Sequence, residues 1–106
     1  MAKYLISASY TAEGAKGVLK EGGTKRRQAA EQVIKSAGGK LEAFYFAFGD
    51  NDAFVIVDAP DHASVAAMSL AINASGAVRT KTVVLLTPEE IDQATKKGTT
   101  YRAPGH

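Results

Sequence analysis

Between Leu41 and Ala59 nearly every position is apolar, interrupted only by Glu42, by Gly49-Asp50-Asn51-Asp52 and by Asp58. Four polar or flexible residues between two apolar runs predict two strands joined by a hairpin, Leu41 to Phe48 and Ala53 to Ala59. Period-two alternation puts Phe44, Phe46 and Phe48 on one face of the first, and Leu41, Ala43, Tyr45 and Ala47 on the other. Upstream, the β-formers of "YLISASY" predict a strand from Tyr4 to Tyr10. Thr11 to Gly23 carries Gly14, Gly17, Gly22 and Gly23 and reads as a poor short helix inside a loop. Thr24 is a candidate N-cap, after which Ala29, Ala30, Val33, Ile34 and Ala37 recur at helical spacing until Gly38-Gly39 stops them. Asp61 can cap a helix to about Ser75, with Val65, Met68, Ala71 and Ile72 inward. A last strand spans Val78 to Leu86. Thr87-Pro88-Glu89-Glu90 is then a capping box with proline at the first helical position.

The order strand, helix, strand, strand, helix, strand is the ferredoxin-like βαββαβ pattern of the α+β class. It predicts a four-stranded antiparallel sheet with the helices on one face. Such a sheet alternates apolar and polar side chains if its other face meets water. Here Phe54 and Ile56 oppose Val55 and Val57, so both faces are apolar. A second protomer is the expected cover.

Composition narrows the partners. The chain has 106 residues, enough for one domain, expected at residues 1–92 with a loose tail at 93–106. Thirteen basic and 11 acidic residues leave a net charge of +2, too little to argue for nucleic acid or an anionic membrane. No cysteine is present, so disulfides, thiolate metal sites and cysteine nucleophiles are excluded. Met1-Ala2-Lys3-Tyr4 leads straight into a strand, without a signal-peptide core or a long apolar span. The expected location is the cytoplasm.

"YLISASYT", "GGKLEAFYFAFGDND", "VIVDAPD" and "GAVRTKT" followed by "LTPEE" occur in an order and spacing that resemble the GYD domain family. The resemblance covers residues 3 to 92. It implies a fold similar to the dimeric α+β barrels, which pair ferredoxin-like sheets face to face, and it supplies no catalytic residue. The family motif (glycine, a variable residue, tyrosine, aspartate) maps onto Gly49, Asp50, Asn51 and Asp52, with Asn51 in place of the tyrosine.

Those four residues offer three oxygen ligands at most, and a hydrophobic strand follows at once, whereas a hard cation takes about six. They suit a hairpin turn better, with a ligand-facing role for Asp52 as the alternative. "EGGTKRRQ" places Lys25, Arg26 and Arg27 in the first turn of a helix, where cations oppose the helix dipole and an anion would be favoured. The glycine-lysine spacing of a P-loop is not matched, and an exposed basic turn is the plain alternative. His62 and His106 are the only histidines, and neither converges with a serine and a carboxylate. "AFVIV" has an aromatic-strand flavour, but Asp50 and Asp52 before it would repel RNA phosphate.

The expected topology collects Tyr10, Arg26, Arg27, Asp52 and Arg79 at one end of the sheet and Asp58, Asp61 and His62 at the other. The first set is the candidate ligand site. The expected protein is a homo-oligomer that binds a small anionic molecule or serves as an assembly unit, with no cofactor. The alternative is a cofactor-independent enzyme of the barrel type, an oxygenase or isomerase, which rests on fold analogy.

Overall fold

Eight elements make up the computed structural model, which describes all of residues 1–106. They are β1 (Ala2–Tyr10), α1 (Ala12–Glu21), α2 (Gly23–Ser36), β2 (Lys40–Phe46), β3 (Ala53–Ala59), α3 (His62–Ala74), β4 (Val78–Leu85) and α4 (Pro88–Thr95). The strands form one antiparallel sheet in the order β2-β3-β1-β4. This is the ferredoxin-like arrangement, with β1 and β3 central. No helix is long and apolar enough to cross a membrane.

The core lies between the sheet and the helices. Tyr4 and Ile6 of β1, Leu41 of β2 and Val55 and Val57 of β3 meet Ile34 of α2 and Val65 and Met68 of α3. A smaller cluster, Ala8, Ala53 and Val78, occupies the Tyr10 end. Of the inward residues expected on α3, Val65 and Met68 are buried and Ile72 half-buried, while Ala71 faces solvent.

Three expectations change. The glycine-rich segment is a ten-residue helix, α1, capped by Thr11, whose hydroxyl accepts from the Gly14 amide at 3.3 Å. Its low intrinsic propensity is offset by packing on α2 and β1. Gly22 then breaks the chain at φ 84°, a conformation side chains disfavour, so α2 begins at Gly23 and Thr24 lies inside its first turn instead of capping it. The faces of β2 also differ from strict alternation. The register shifts between Leu41 and Ala43, so Leu41 opposes Val57 while Ala43 opposes Ile56. The extra residue, Glu42, turns Leu41 onto the same face as Phe44 and Phe46. Beyond Phe46 the strand ends, and Phe48 is fully exposed.

The side of the sheet away from the helices stays open. Its middle carries Leu5, Phe54, Ile56, Tyr45 and Val83, of which Tyr45 is 72 % and Val83 54 % exposed. At one edge Lys3 bridges Glu42 at 2.8 Å and Asp58 at 3.0 Å, and these carboxylates hold its ammonium above the ordinary lysine value.

At the start of α3 the Asp61 carboxylate accepts from the Ser64 amide at 2.8 Å. The Ser64 amide and hydroxyl, with a smaller pull from His62, hold the Asp61 carboxyl below its ordinary 3.8. A depressed folded-state pKa contributes stability above the unfolded value, and that stability is lost as pH falls through the folded one. Asparagine caps equally well and does not titrate. Asp61→Asn is therefore expected to flatten the fall in urea midpoint between about pH 5 and pH 2. An acid limb identical to that of the parent chain would show that the cap carries none of it.

Candidate functional site

A cavity of about 500 Å³ opens between the sheet and the helices at the Tyr10 end. Small residues create it. Ala8 and Ala53 on the sheet face Gly14 and Gly17 of α1 and Ala29 and Ala30 of α2, and none reaches across the gap. The opposite end is filled by Tyr4, Leu41 and Val57. Ile6, Val33, Phe44, Val55, Met68 and Ile72 make the cavity floor and far wall apolar. Polar groups gather on the α1–α2 side, where Arg26, Glu13 and Glu21 line it, with Tyr10 and Thr80 toward the sheet.

α1 is set closely over this opening. Thr11 donates its amide to the Ala77 carbonyl at 3.0 Å and its hydroxyl to Gly76 at 2.9 Å. Gly14 is buried against the same Ala77 carbonyl, and a Cβ there would overlap the oxygen. Only glycine lets α1 approach the start of β4 this closely.

Arg26 is half-buried, and no carboxylate lies within ion-pair distance of it. It stands in the first turn of α2, which contains no acidic residue. Adjacent to it, Arg27 is exposed and does not line the cavity, because consecutive helical residues point about 100° apart.

The turn between β2 and β3 is a structural clasp. The Ala47 amide donates to the Asp52 carbonyl and the Asp52 amide to the Ala8 carbonyl, both at 2.8 Å. The Asp52 carboxylate accepts from the Tyr10 amide at 2.8 Å, and the Ser9 hydroxyl donates to the Asp50 carbonyl. Asp52 thus locks the end of β1, and with it the Tyr10 ring on the cavity wall. Its carboxylate is engaged by the backbone and does not line the cavity.

Arg79 is at the expected end but on the other side of the sheet. Val78 points to the helices, so Arg79, one residue on, points to the open face opposite Ser9. There it lines a depression of about 440 Å³ with Ser7, Ser9, Asn51 and Lys81, which runs round the β4 edge to Thr80 and Asn73 and has no hydrophobic residue in its lining. The five expected site residues are therefore divided. Tyr10 and Arg26 meet at the cavity, Asp52 supports Tyr10 from behind, Arg27 lies outside, and Arg79 lies across the sheet.

The family model of the GYD domain matches residues 4–95, a range that takes in the Gly49–Asp52 turn and the capped α4. The chain belongs to the GYD domain family. The match begins at the third residue of β1, takes in the other three strands and runs through the last residue of α4. Asn51 lies at the depression beside Arg79 rather than in the helix-side cavity. No curated protein matches the sequence.

At the far end the Tyr4 hydroxyl meets His62 Nδ1 at 2.6 Å, with the two rings edge to face. Tyr4 is 2 % exposed, so its hydroxyl needs a partner inside the fold. That contact gives His62 a packing role about a strand length from the cavity. The cavity wall itself escaped residue-by-residue reading, since glycine and alanine carry no chemistry to notice. The available signal was that small residues fall together on three elements, at Ala8, at Gly14 and Gly17, and at Ala29 and Ala30.

Asp52→Ala is expected to lower unfolding free energy by about 0.5–2 kcal/mol, because the Tyr10 amide loses a charge-assisted acceptor. Urea unfolding measures it. An unchanged midpoint would mean that the turn is held by its backbone bonds alone.

Proposed function

We propose that this GYD-domain protein is a homodimeric binding protein that holds a small amphipathic anion in the helix-side cavity. The observation that carries the reading is one unpaired, half-buried arginine, Arg26, on the polar side of an otherwise apolar cavity of about 500 Å³. Ligand sites are commonly concave and mostly apolar, with a few polar groups that orient the guest. The cavity floor suits a hydrocarbon or aromatic body, and Arg26 suits a carboxylate, which its planar fork binds through two hydrogen bonds. Glu13 and Glu21 on the same side disfavour a more highly charged guest.

The test is thermal unfolding with a series of medium-chain and aromatic carboxylates beside the matching neutral alcohols. A carboxylate that fits is expected to stabilise the fold by about 2.7 kcal/mol at a hundred times its dissociation constant. The alcohols, and the Arg26→Gln chain with any of the acids, are expected to shift little. If no acid in the series raises the melting temperature above a control of equal ionic strength, the binding reading is wrong.

The dimer reading rests on the open sheet face. Only 13 of 106 residues are buried, a small core for a stable isolated domain. Meanwhile Tyr45, Phe54 and Val83 present contiguous apolar surface at the centre of the sheet. Covering that surface with an identical sheet satisfies both copies at once. Light scattering at micromolar concentration is expected to give at least twice 11.1 kDa. A monomeric mass from a folded sample would remove this half of the proposal and leave the cavity half standing.

A further inference from the structure

The C-terminal helix is out of keeping with the rest of the fold. α4 has eight residues and none of them is buried. Isolated helices shorter than about 12–15 residues are marginal in water. Yet α4 is fully specified at its start. The Thr87 hydroxyl accepts from the Glu90 amide at 3.1 Å, the Glu90 carboxylate accepts from the Thr87 amide at 3.0 Å, and Pro88 opens the first turn. Leu86 is 58 % and Ile91 46 % exposed beside it. With the exposed residues 96–106 beyond α4 included, the chain's radius of gyration is 16.9 Å, where a compact chain of this length gives about 13 Å. Its longest dimension is 56 Å. A well-capped helix that projects without burying anything needs a surface from outside its own subunit.

Charge indicates which surface. α4 carries Glu89, Glu90 and Asp92 in its first two turns, and its bases, Lys96 and Lys97, follow only after its last residue. On the open sheet face Arg79 and Lys81 have no ion-pair partner, whereas Lys3 is already held by two carboxylates. Within one subunit the two groups lie at opposite ends of β4. From Arg79 to Leu85 is about 20 Å of extended strand, and α4 departs beyond that. A two-fold axis between two open faces, running across the strands, reverses each strand over its copy and keeps β4 above β4. It places Arg79 and Lys81 of the partner subunit over the Leu85 end, where α4 leaves. Packed sheets stand about 10 Å apart, within reach of long basic side chains. An axis along the strands would instead set β4 over β2 with the strand ends aligned, leaving these bases at the end away from α4.

We infer that α4 is a docking arm for a second copy of this chain, with Glu89 and Asp92 set against Arg79 and Lys81 of the partner subunit and Leu86 and Ile91 covered at the same contact. The inference rests on the paired-sheet reading above and adds the direction in which the sheets pair. The two-fold repeats the contact, so both arms close together. Glu90 remains the capping residue of its own helix.

Sedimentation of the 106-residue chain tests this with charge reversal on each side. Arg79→Glu with Lys81→Glu, and separately Glu89→Lys with Asp92→Lys, are each expected to raise the dimer dissociation constant about tenfold or more at low salt. Combining all four substitutions is expected to bring it back to within about threefold of the parent. The two pairs lie on different elements, so a folding defect in one, visible by circular dichroism, leaves the other readable. A dimer unmoved by either pair overturns the arm and leaves the paired-sheet reading intact. The same follows if both pairs weaken it and their combination does not restore it. A parent chain that stays monomeric overturns the paired sheets and the arm together.

Discussion

A four-stranded sheet has two faces, and this chain has helices for only one. Every larger feature follows from that shortage. β1 and β3 carry Tyr4, Ile6, Val55 and Val57 toward α2 and α3, and Leu5, Phe54 and Ile56 away from them. The first set forms the core. The second stays at the surface unless another molecule arrives. Alternation does not let a central strand be apolar throughout and satisfied on both sides within so short a chain.

On the covered face, side-chain volume separates packing from binding. The Tyr4 end contains tyrosine, leucine and valine, and it closes. The Tyr10 end contains alanine and glycine, and it leaves a cavity. The same choice explains why α1 exists as a helix. Gly14 sacrifices helix propensity for an approach to the Ala77 carbonyl that no other residue permits, and this places the polar edge of α1 over the opening. Asp52 contributes from the far side of the sheet by fixing the Tyr10 amide. The Gly49–Asp52 turn is thus a fastening for the cavity wall, with Asp52 as its working member.

Parity decides which charges can act together. Arg26 and Arg79 lie at one end of the molecule, yet one residue of strand alternation sends Arg79 through the sheet to a surface shared with Lys81, Ser7 and Ser9. One helical step likewise separates Arg27 from Arg26. Arg26 is left alone with an apolar cavity, and Arg79 with an open face whose acidic complement lies on α4. In the paired reading the two arginines serve different partners, a small anion on one side of the sheet and a second subunit on the other.

By itself the sequence determined what short-range rules govern. Apolar periodicity and turn residues placed β3, α3 and β4 within a residue or two, the Thr87 capping box marked the start of α4, and the element order implied the sheet topology. The absence of polar alternation exposed the second apolar face. Local rules fail where long-range packing intervenes. The extra residue at Glu42, which moves Leu41 to the other face, depends on pairing with β3. The full ten-residue extent of the helix in the glycine-rich segment, read from sequence only as a short one, depends on contact with α2 and β1. The division of the five candidate residues depends on which side of a sheet or helix each one occupies. Only the tertiary structure decided these, because a cavity and a face are relations between segments distant in the chain, and they are made here largely by glycine and alanine, whose role is the space they leave.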